Sequence, residues 1–311
     1  MQKPDRPGKT GFTILQLSIV LTIIGLIIGG VLVGQEVINS SVIRAQIAQI
    51  DKYNTAVNNF DTKYGGLPGD LRDPYASQYG FSARGAFPGE GDGNGILQGN
   101  CGNNSGGANY LYTGCGELAV FWQDLSTASM LDGYVITSGV CLPTENGVGM
   151  QCPVTLTTTP GIKNWIPPAK LGGNNFVYVY NSNAINYFAV SQIVSIGWTY
   201  ESTGTVGAGR QIITVQQAYN IDQKIDDGLP QSGNVNTCYI DFDVVNYQLI
   251  WAAGNGNQGA GGANCAPAPV TTVTPYATTN CYDNNGIAGV ETYSTSKNAN
   301  KPNCALSFAF Q

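Results

Sequence analysis

The chain has 311 residues, of which 11% are charged and 41 are glycine, and its net charge at neutral pH is −6. Soluble cytosolic domains carry about 25% charged residues, so this composition is typical of an exported, loop-rich chain. The sequence contains no histidine, which excludes Ser-His-Asp triads, Cys-His nucleophiles and histidine-ligated zinc. Its 14 lysine and arginine residues are spread thinly, so we see no specific nucleic-acid site.

The first predicted element is a membrane-spanning helix. Residues 12–33 are 22 residues without a charge, and as a helix they would span about 33 Å, the thickness of a bilayer core. Lys3, Arg6 and Lys9 precede this run against a single Asp5, so the positive-inside rule predicts a cytoplasmic N-terminus. A cleaved signal peptide is the alternative, but its apolar region usually has about 7–15 residues. We therefore expect a single-pass inner-membrane protein whose remainder lies outside the cytoplasm.

A basic leader meets this apolar helix at the junction Gly11-Phe12-Thr13-Ile14-Leu15-Gln16-Leu17. The junction resembles the prepilin cleavage and methylation motif of type IV pilins and type II secretion pseudopilins. The resemblance covers residues 1–65. It implies that a prepilin peptidase cuts after Gly11 and methylates Phe12, and that the product assembles with other pilin or pseudopilin subunits on an inner-membrane platform.

Gln16 departs from the family pattern, which usually has glutamate at this position. By resemblance, that glutamate pairs with the cationic N-terminus of a neighbouring subunit, because an unpaired charge in lipid costs at least a few kcal/mol. Glutamine can hydrogen-bond but cannot neutralise a charge. Three interpretations stay open: a minor subunit at a filament tip, a major subunit with weaker charge registration, or simple tolerance of glutamine.

Glycines recur along the predicted membrane helix. Gly25 and Gly29, like Gly30 and Gly34, have the G-x-x-x-G spacing that lets helices approach closely, so we expect Gln16, Gly25 and Gly29 to serve in filament assembly. Glycine is also common in membrane helices without a packing role.

The helical pattern continues past the membrane to Tyr64, where Gly65-Gly66-Leu67-Pro68-Gly69 predicts its end. One predicted stripe is apolar: Ile43, Ile47, Ile50, Val57, Phe60 and Tyr64. The intervening positions are polar: Arg44, Gln46, Gln49, Lys52 and Asn59. The predicted organisation is a leader at 1–11, a transmembrane helix at 12–34, an amphipathic helix at 35–65 and an exported domain at 66–311.

The exported domain is predicted to be α+β, with an antiparallel sheet packed on the long N-terminal helix as in pilins. Helices are expected at 117–131, stopped by Gly133, and at 214–226. Extended segments are expected at 175–194 and 237–251, where residues 238–244 alternate as a half-buried strand does. The tail from about residue 254 would form a poor core on its own, so we expect three cysteines to hold it.

All eight cysteines lie beyond residue 100, on the side of the membrane where disulfides persist. They are Cys101, Cys115, Cys141, Cys152, Cys238, Cys265, Cys281 and Cys304. No C-x-x-C pair suggests a metal or redox site, so structural disulfides are predicted. Short loops favour Cys101 with Cys115 and Cys141 with Cys152, and the other pairings stay open.

Two acidic segments are candidate metal sites. Glu90, Asp92 and Asn94 alternate with glycines as in the first half of a calcium loop, although Cys101 stands where the distal glutamate would be. Calcium is the one cofactor suggested, and a purely conformational Gly-Asp-Asn turn is the alternative. Asp226 and Asp227 at a predicted helix end are interpreted as solvated surface, with a bound cation as the alternative.

Catalysis finds little support in the sequence. Residues 294–297 match S-x-x-K, but the partner motifs of that site are missing from the exported domain. The predicted function is therefore a structural subunit of a type IV pilus or a type II secretion pseudopilus. A signal-anchored adhesin or carbohydrate-binding module is the alternative, in which exposed tyrosine and tryptophan side chains would carry the binding.

Overall fold

The computed structural model describes residues 13–85, 89–98, 116–131, 142–143, 150–151, 159–182, 184–195, 207–208, 213–238, 250–251, 254–255, 281–283, 291–300 and 302–310. The chain divides into two compact units, Met1–Val42 and Ile43–Gln311. The helices among the described residues are α1 Ile14–Tyr64, α2 Tyr75–Gln78, α3 Gly116–Thr127, α4 Thr159–Lys163, α5 Val215–Ile225 and α6 Thr295–Asn298.

Helix α1 confirms the long helix that the sequence predicted. It covers Ile14–Tyr64, and only Phe12 of the predicted range lies outside the described residues. Gly65 follows with a positive φ of 79°, and its N–H bonds the carbonyl of Asp61. Glycine adopts this backbone conformation without a steric penalty, so it ends the helix where the sequence predicted.

The part of α1 in the second unit buries the predicted apolar stripe. Ile43, Ile50, Val57 and Phe60 are buried, and Ile47 and Tyr64 pack partly buried against the same core. The 3.6-residue period therefore identified the face of α1 that joins the core.

Gln46 and Gln49 correct the predicted polar face, because both are buried. The Gln49 side chain donates to the Pro168 carbonyl at 2.9 Å and accepts from Lys170 N at 3.0 Å, and Gln46 Oε1 accepts from Leu171 N at 3.2 Å. The oxygens of both amides thus satisfy the backbone of a loop that crosses the helix. Gln49 is bonded through both polar atoms of its amide, whereas Gln46 Nε2 has no hydrogen-bond partner among the described residues.

The strands are antiparallel in every described pairing. Those with more than two residues are β3 Asn175–Ser182, β4 Ile185–Ser195, β7 Val235–Cys238 and β12 Pro302–Ala309. The two-residue strands are β1 Leu142–Pro143, β2 Met150–Gln151, β5 Gly207–Ala208, β6 Ile213–Thr214, β8 Ile250–Trp251, β9 Gly254–Asn255, β10 Tyr282–Asp283 and β11 Thr292–Tyr293.

The main sheet has the order β3-β4-β12-β6, with β5 added to β4 and β7 added to β12. The extended segment predicted at 175–194 is a hairpin, in which Asn175 pairs with Gln192 and Ser182 with Ile185. Of the segment predicted at 237–251, the described residues confirm strand only at its two ends, and 239–249 lie outside the described residues.

The C-terminal strand β12 lies in the middle of this sheet. Its residues pair with β4 on one side and with β6 and β7 on the other. Cys304, Ala305 and Leu306 are fully buried, and the Phe310 ring stacks on Phe188 at 4.0 Å. Residues 302–310 of the predicted tail therefore form a central part of the core, which the sequence did not predict.

Helices α3 and α5 match the predicted helices with shorter ends. Helix α3 stops at Thr127 rather than 131, while Gly133, the predicted stop, lies outside the described residues. Helix α5 begins after Thr214, whose hydroxyl and the Gln217 amide form a reciprocal capping box. The described fold is thus a long helix with an antiparallel sheet, an α+β arrangement.

Candidate functional site

The first unit presents an apolar helix surface without protein cover. The most apolar 18-residue stretch of α1 contains no buried residue, and the helix is long and apolar enough to cross a membrane. Exposed side chains include Leu15, Leu26, Val33, Val37 and Ile38. Such a surface is stable in lipid, so this segment is suited to anchoring the chain in a membrane.

Gln16 caps the N-terminus of α1 through hydrogen bonds to Thr13 of the same chain. Thr13 N donates to Gln16 Oε1 at 3.0 Å, and Gln16 N donates to Thr13 Oγ1 at 3.4 Å. This reciprocal pair is a capping box. It satisfies two N–H groups that would be expensive to leave unpaired in lipid. A role for Gln16 between neighbouring subunits stays a prediction.

The helix glycines face open space. A Cβ added at Gly25, Gly29, Gly30 or Gly34 would have no atom within 4 Å beyond the local helix backbone. The surface is therefore open to a partner helix or to lipid, and close helix packing there stays a prediction. Gly11 and Phe12, the predicted cleavage and methylation residues, lie outside the described residues.

The predicted calcium loop is held by two buried carboxyl groups from other parts of the chain. Asp70 Oδ1 and Oδ2 accept from Gly93 N and Gly95 N, each at 2.7 Å. Glu117 Oε1 accepts from Gly91 N at 2.9 Å, and its Oε2 accepts from Gln98 N at 2.7 Å. All four oxygens thus bind backbone of residues 91–98, which fixes this loop against α3.

Carboxyl oxygens of Asp70 and Glu117 lie within 4.8 Å of one another, so the two groups interact directly. Burial raises the pKa of Glu117 well above its usual range, and the charges of Asp70 and Asp92 raise it further. Burial likewise raises the pKa of Asp70. Two carboxylates at this distance repel each other in a low-dielectric setting, which favours the singly protonated pair.

Of the three predicted metal ligands, Asp92 and Asn94 are in direct contact, and Asp92 also lies beside two further carboxyl groups. Oxygens of Asp92 lie within 4.8 Å of those of Asp70 and Glu117. Asn94 Nδ2 donates to Asp92 Oδ2 at 3.1 Å, and Glu90 is buried beside Gly85. The three-carboxyl group is therefore Asp70, Asp92 and Glu117, while calcium at Glu90, Asp92 and Asn94 stays a prediction. Sequence patterns gave no sign of Asp70 or Glu117, because these residues lie 19 to 26 positions away from the loop residues that they bind.

A buried ion pair lies beside this loop. Arg84 Nη2 donates to Asp124 Oδ2, and both side chains are essentially inaccessible to solvent. Asp124 Oδ2 also accepts from Gly69 N at 2.7 Å, and Arg84 Nε donates to the Leu71 carbonyl at 3.2 Å. These bonds tie α3 to the turn that follows α1, and a buried charge is stable only with such partners.

A second acidic cluster is formed by Asp222, Asp226 and Asp227, whose oxygens lie within 4.8 Å of one another. Asp222 is fully buried, and it accepts from Tyr293 Oη at 2.7 Å and from Gly228 N at 3.1 Å. Burial raises its pKa to about 7, and the charges of Asp227 and Asp226 add to this. The sequence drew attention to Asp226 and Asp227 but missed Asp222.

A groove with a volume of about 730 Å³ follows one side of α1 in the second unit. One wall is α1 between Ala45 and Asn59, and the other consists of Ser129–Leu131 and Pro167–Lys170. Its α1 wall is formed partly by the small side chains Ala45, Ala48 and Thr55.

One disulfide joins described residues, between Cys281 and Cys304. It links the residue before β10 to β12. Cys238 ends β7, and the predicted pairs Cys101 with Cys115 and Cys141 with Cys152 lie outside the described residues, as does Cys265.

No family model, curated protein or solved structure matches this chain.

Proposed function

We propose that the chain is a structural subunit of a filament of the type IV pilin or type II secretion pseudopilin kind. The observation that carries this proposal is the double role of α1. Its first part is an apolar surface without protein cover, and its last part contributes Ile43, Ile50, Val57 and Phe60 to the core of the second unit. A helix of this kind can be held by lipid before assembly and by neighbouring helices afterwards.

In this proposal a prepilin peptidase removes residues 1–11, and Phe12 becomes the methylated N-terminus. The basic leader keeps the N-terminus in the cytoplasm, and the second unit is exported to the periplasm or to a surface filament. The disulfide between Cys281 and Cys304 supports an oxidising compartment for that unit. Other subunits and an inner-membrane assembly platform are the partners that this function requires.

Gln16 favours a specialised position in the filament. Its amide oxygen is bonded to Thr13 N, so it completes its own helix. A neutral amide does not attract the cationic N-terminus of a neighbour as a carboxylate would. A subunit at a filament tip needs one such contact fewer, which is the position that we propose for this chain.

The test follows the chain into filaments. We expect to find the wild-type protein in filaments sheared from the cell surface or isolated from the periplasm. We expect the Gly11→Arg variant to remain uncleaved in the membrane fraction. Gln223→Arg, an exposed charge change on α5, is the matched control for export and stability. A wild-type protein that never leaves the membrane fraction would contradict the proposal.

The anchored adhesin is a second candidate, favoured by an exposed aromatic pair. Tyr75 and Tyr79 are 59% and 51% exposed, and the Tyr79 ring lies 5.1 Å from that of Tyr64. Fixed, exposed tyrosines suit stacking against sugar rings or protein surfaces. This candidate predicts an uncut N-terminus, and a loss of surface binding without a loss of export when both tyrosines are changed to serine.

A further inference from the structure

Asn94 and Gly95 lie in a turn that the Asn94 side chain closes. Asn94 Oδ1 accepts a hydrogen bond from Ile96 N at 2.7 Å, which makes this an Asx turn. The turn folds the side-chain amide back over the backbone between these two residues, where Gly95 N lies. Gly95 has a positive φ of 80° and places no side chain between its nitrogen and that amide. The pair is therefore suited to ring closure between the amide carbon and the glycine nitrogen.

The hydrogen bonds around this pair match the requirements of that ring closure. Gly95 N donates to Asp70 Oδ2 at 2.7 Å, so a carboxyl oxygen is placed to take the proton that this nitrogen must lose. Asp70 is buried, which fixes its position against the loop. Ile96 N, which donates to Asn94 Oδ1, is placed to stabilise the negative charge that develops on this oxygen. Asn94 and Gly95 are themselves exposed, so water can reach both.

We propose that Asn94-Gly95 is a site of self-modification, at which Gly95 N attacks Asn94 Cγ and closes a succinimide ring. The new bond joins Gly95 N to Cγ, and the bond from Cγ to Nδ2 breaks. Asp70 Oδ2 takes the proton from Gly95 N, solvent gives one to the leaving nitrogen, and ammonia departs. Water then opens the ring to aspartate or to isoaspartate. The reaction needs only this loop and Asp70, so it is independent of the filament function.

The preceding pair, Asp92-Gly93, has the same arrangement but a poorer leaving group. Asp92 Oδ1 accepts from Asn94 N at 3.1 Å, and Gly93 N donates to Asp70 Oδ1 at 2.7 Å. An ionised carboxylate resists attack by a nucleophile, whereas a neutral amide can release ammonia. The loop therefore presents two similar turns to one carboxyl group, and we expect the conversion at Asn94.

The conversion would change the contacts of the loop. Asn94 Nδ2 donates to Asp92 Oδ2 at 3.1 Å, and a carboxylate at position 94 would repel Asp92 instead. Isoaspartate would also add a methylene group to the backbone of the turn. Because the released ammonia does not return, the change is one-way, and it should loosen residues 91–98 as the protein ages.

The rates of conversion in folded and unfolded protein test the proposal without any substitution. The full-length chain is kept folded, or is unfolded in guanidinium chloride with its disulfides reduced, and peptide mass spectrometry follows the replacement of amide by carboxyl. We expect Asn94 to convert about tenfold faster in the folded chain, the lower end of what a positioned base contributes. Asn146, Asn255 and Asn285 also precede glycine, so in the unfolded chain they should match Asn94. An Asn94 rate that is equal or slower in the folded chain overturns the proposal.

Asp70→Asn tests the role of the carboxyl group. The variant lacks the base, so conversion of Asn94 in the folded chain should slow about tenfold. If the substitution also loosens the loop, Asn94 should convert at the rate of the unfolded chain, which is slower as well. Asp51→Asn, which removes an exposed carboxyl group of α1, is the matched control and should keep the wild-type rate. A rate in Asp70→Asn at or above that of the wild type would mean that the hydrogen bonds restrain the pair, and it would overturn the proposal.

Discussion

At the scale of single residues, Asp124 and Asp222 show two ways of burying a carboxyl group. Asp124 faces a guanidinium, and although burial raises its pKa, the Arg84 charge and the bond from Gly69 N oppose that effect. Asp222 accepts hydrogen bonds from a tyrosine hydroxyl and a backbone N–H, and two further carboxyl groups lie close to it. The surroundings of Asp124 favour the ionised carboxylate, and those of Asp222 favour the protonated carboxyl group.

Asp222 should make the stability of the protein depend on pH. Its pKa is about 7 in the folded chain and about 4 in the unfolded one, so the folded state holds a proton that unfolding releases between these values. Its contribution to the free energy of unfolding is therefore full below about pH 4 and falls as the pH rises to about 7.

Asp222→Asn removes this contribution while keeping a polar group that can bond Tyr293 and Gly228. Between pH 5 and pH 8 the wild type should lose about 2 kcal/mol more stability than Asp222→Asn, measured by urea unfolding. Asp61→Asn, a carboxyl at the end of α1, serves as the control and should follow the wild type. Parallel pH profiles for wild type and Asp222→Asn would contradict this account.

Removing one partner of the Arg84–Asp124 pair should lower the free energy of unfolding much more than replacing both partners with apolar residues. Arg84→Met alone leaves the Asp124 charge buried without its cation, and we expect a loss of about 3 kcal/mol. The double change to Met and Leu removes both charges, so it should recover much of that loss. Thermal unfolding of the two variants measures the difference, and a double variant as unstable as the sum of the single changes would refute the explanation.

At the scale of secondary structure, periodicity identified the elements whose contacts repeat along the chain. The stripe on α1 was predicted because its buried residues recur every three or four positions. Helix α3 is instead buried on nearly every side, without interruption from Gly116 to Trp122. Periodicity could not predict the burial of Gln46 and Gln49, because this burial depends on a loop that is more than a hundred residues away in sequence. Hydrogen bonds to distant backbone leave no local pattern.

Strand β12 was missed for a related reason. Its sequence, Pro-Asn-Cys-Ala-Leu-Ser-Phe-Ala, has small and polar residues that lower its strand propensity. It is nevertheless central, because β4 and β7 pair along it from both sides. Tertiary pairing overrides local propensity in such a strand, and the pairing partners are far apart in sequence.

The Cys281–Cys304 disulfide should stabilise this strand. It closes a span of 23 residues, for which the chain-entropy relation gives about 3 kcal/mol. Changing both cysteines to alanine should lower the free energy of urea unfolding by about that amount. Changing both to valine controls for the lost volume and should remain well below wild type. A wild-type unfolding curve in either double variant would exclude a stabilising role.

At the scale of the whole molecule, the sequence predicted the α+β class and the apolar membrane helix. It could not predict which carboxyl groups meet, because Asp70, Asp92 and Glu117 come from three separate segments. The filament function is the proposal that unites the exposed part of α1 with its buried part. That proposal depends on one chemical event, the cut after Gly11.

The mass of the N-terminal peptide of the protein, purified from its native membrane with and without the prepilin peptidase, tests this event directly. We predict a methylated Phe12 terminus when the peptidase is present and an intact leader when it is absent. An intact N-terminal leader in both cases, or a cut downstream of Val33, would contradict the filament account and favour an anchored or secreted binding domain.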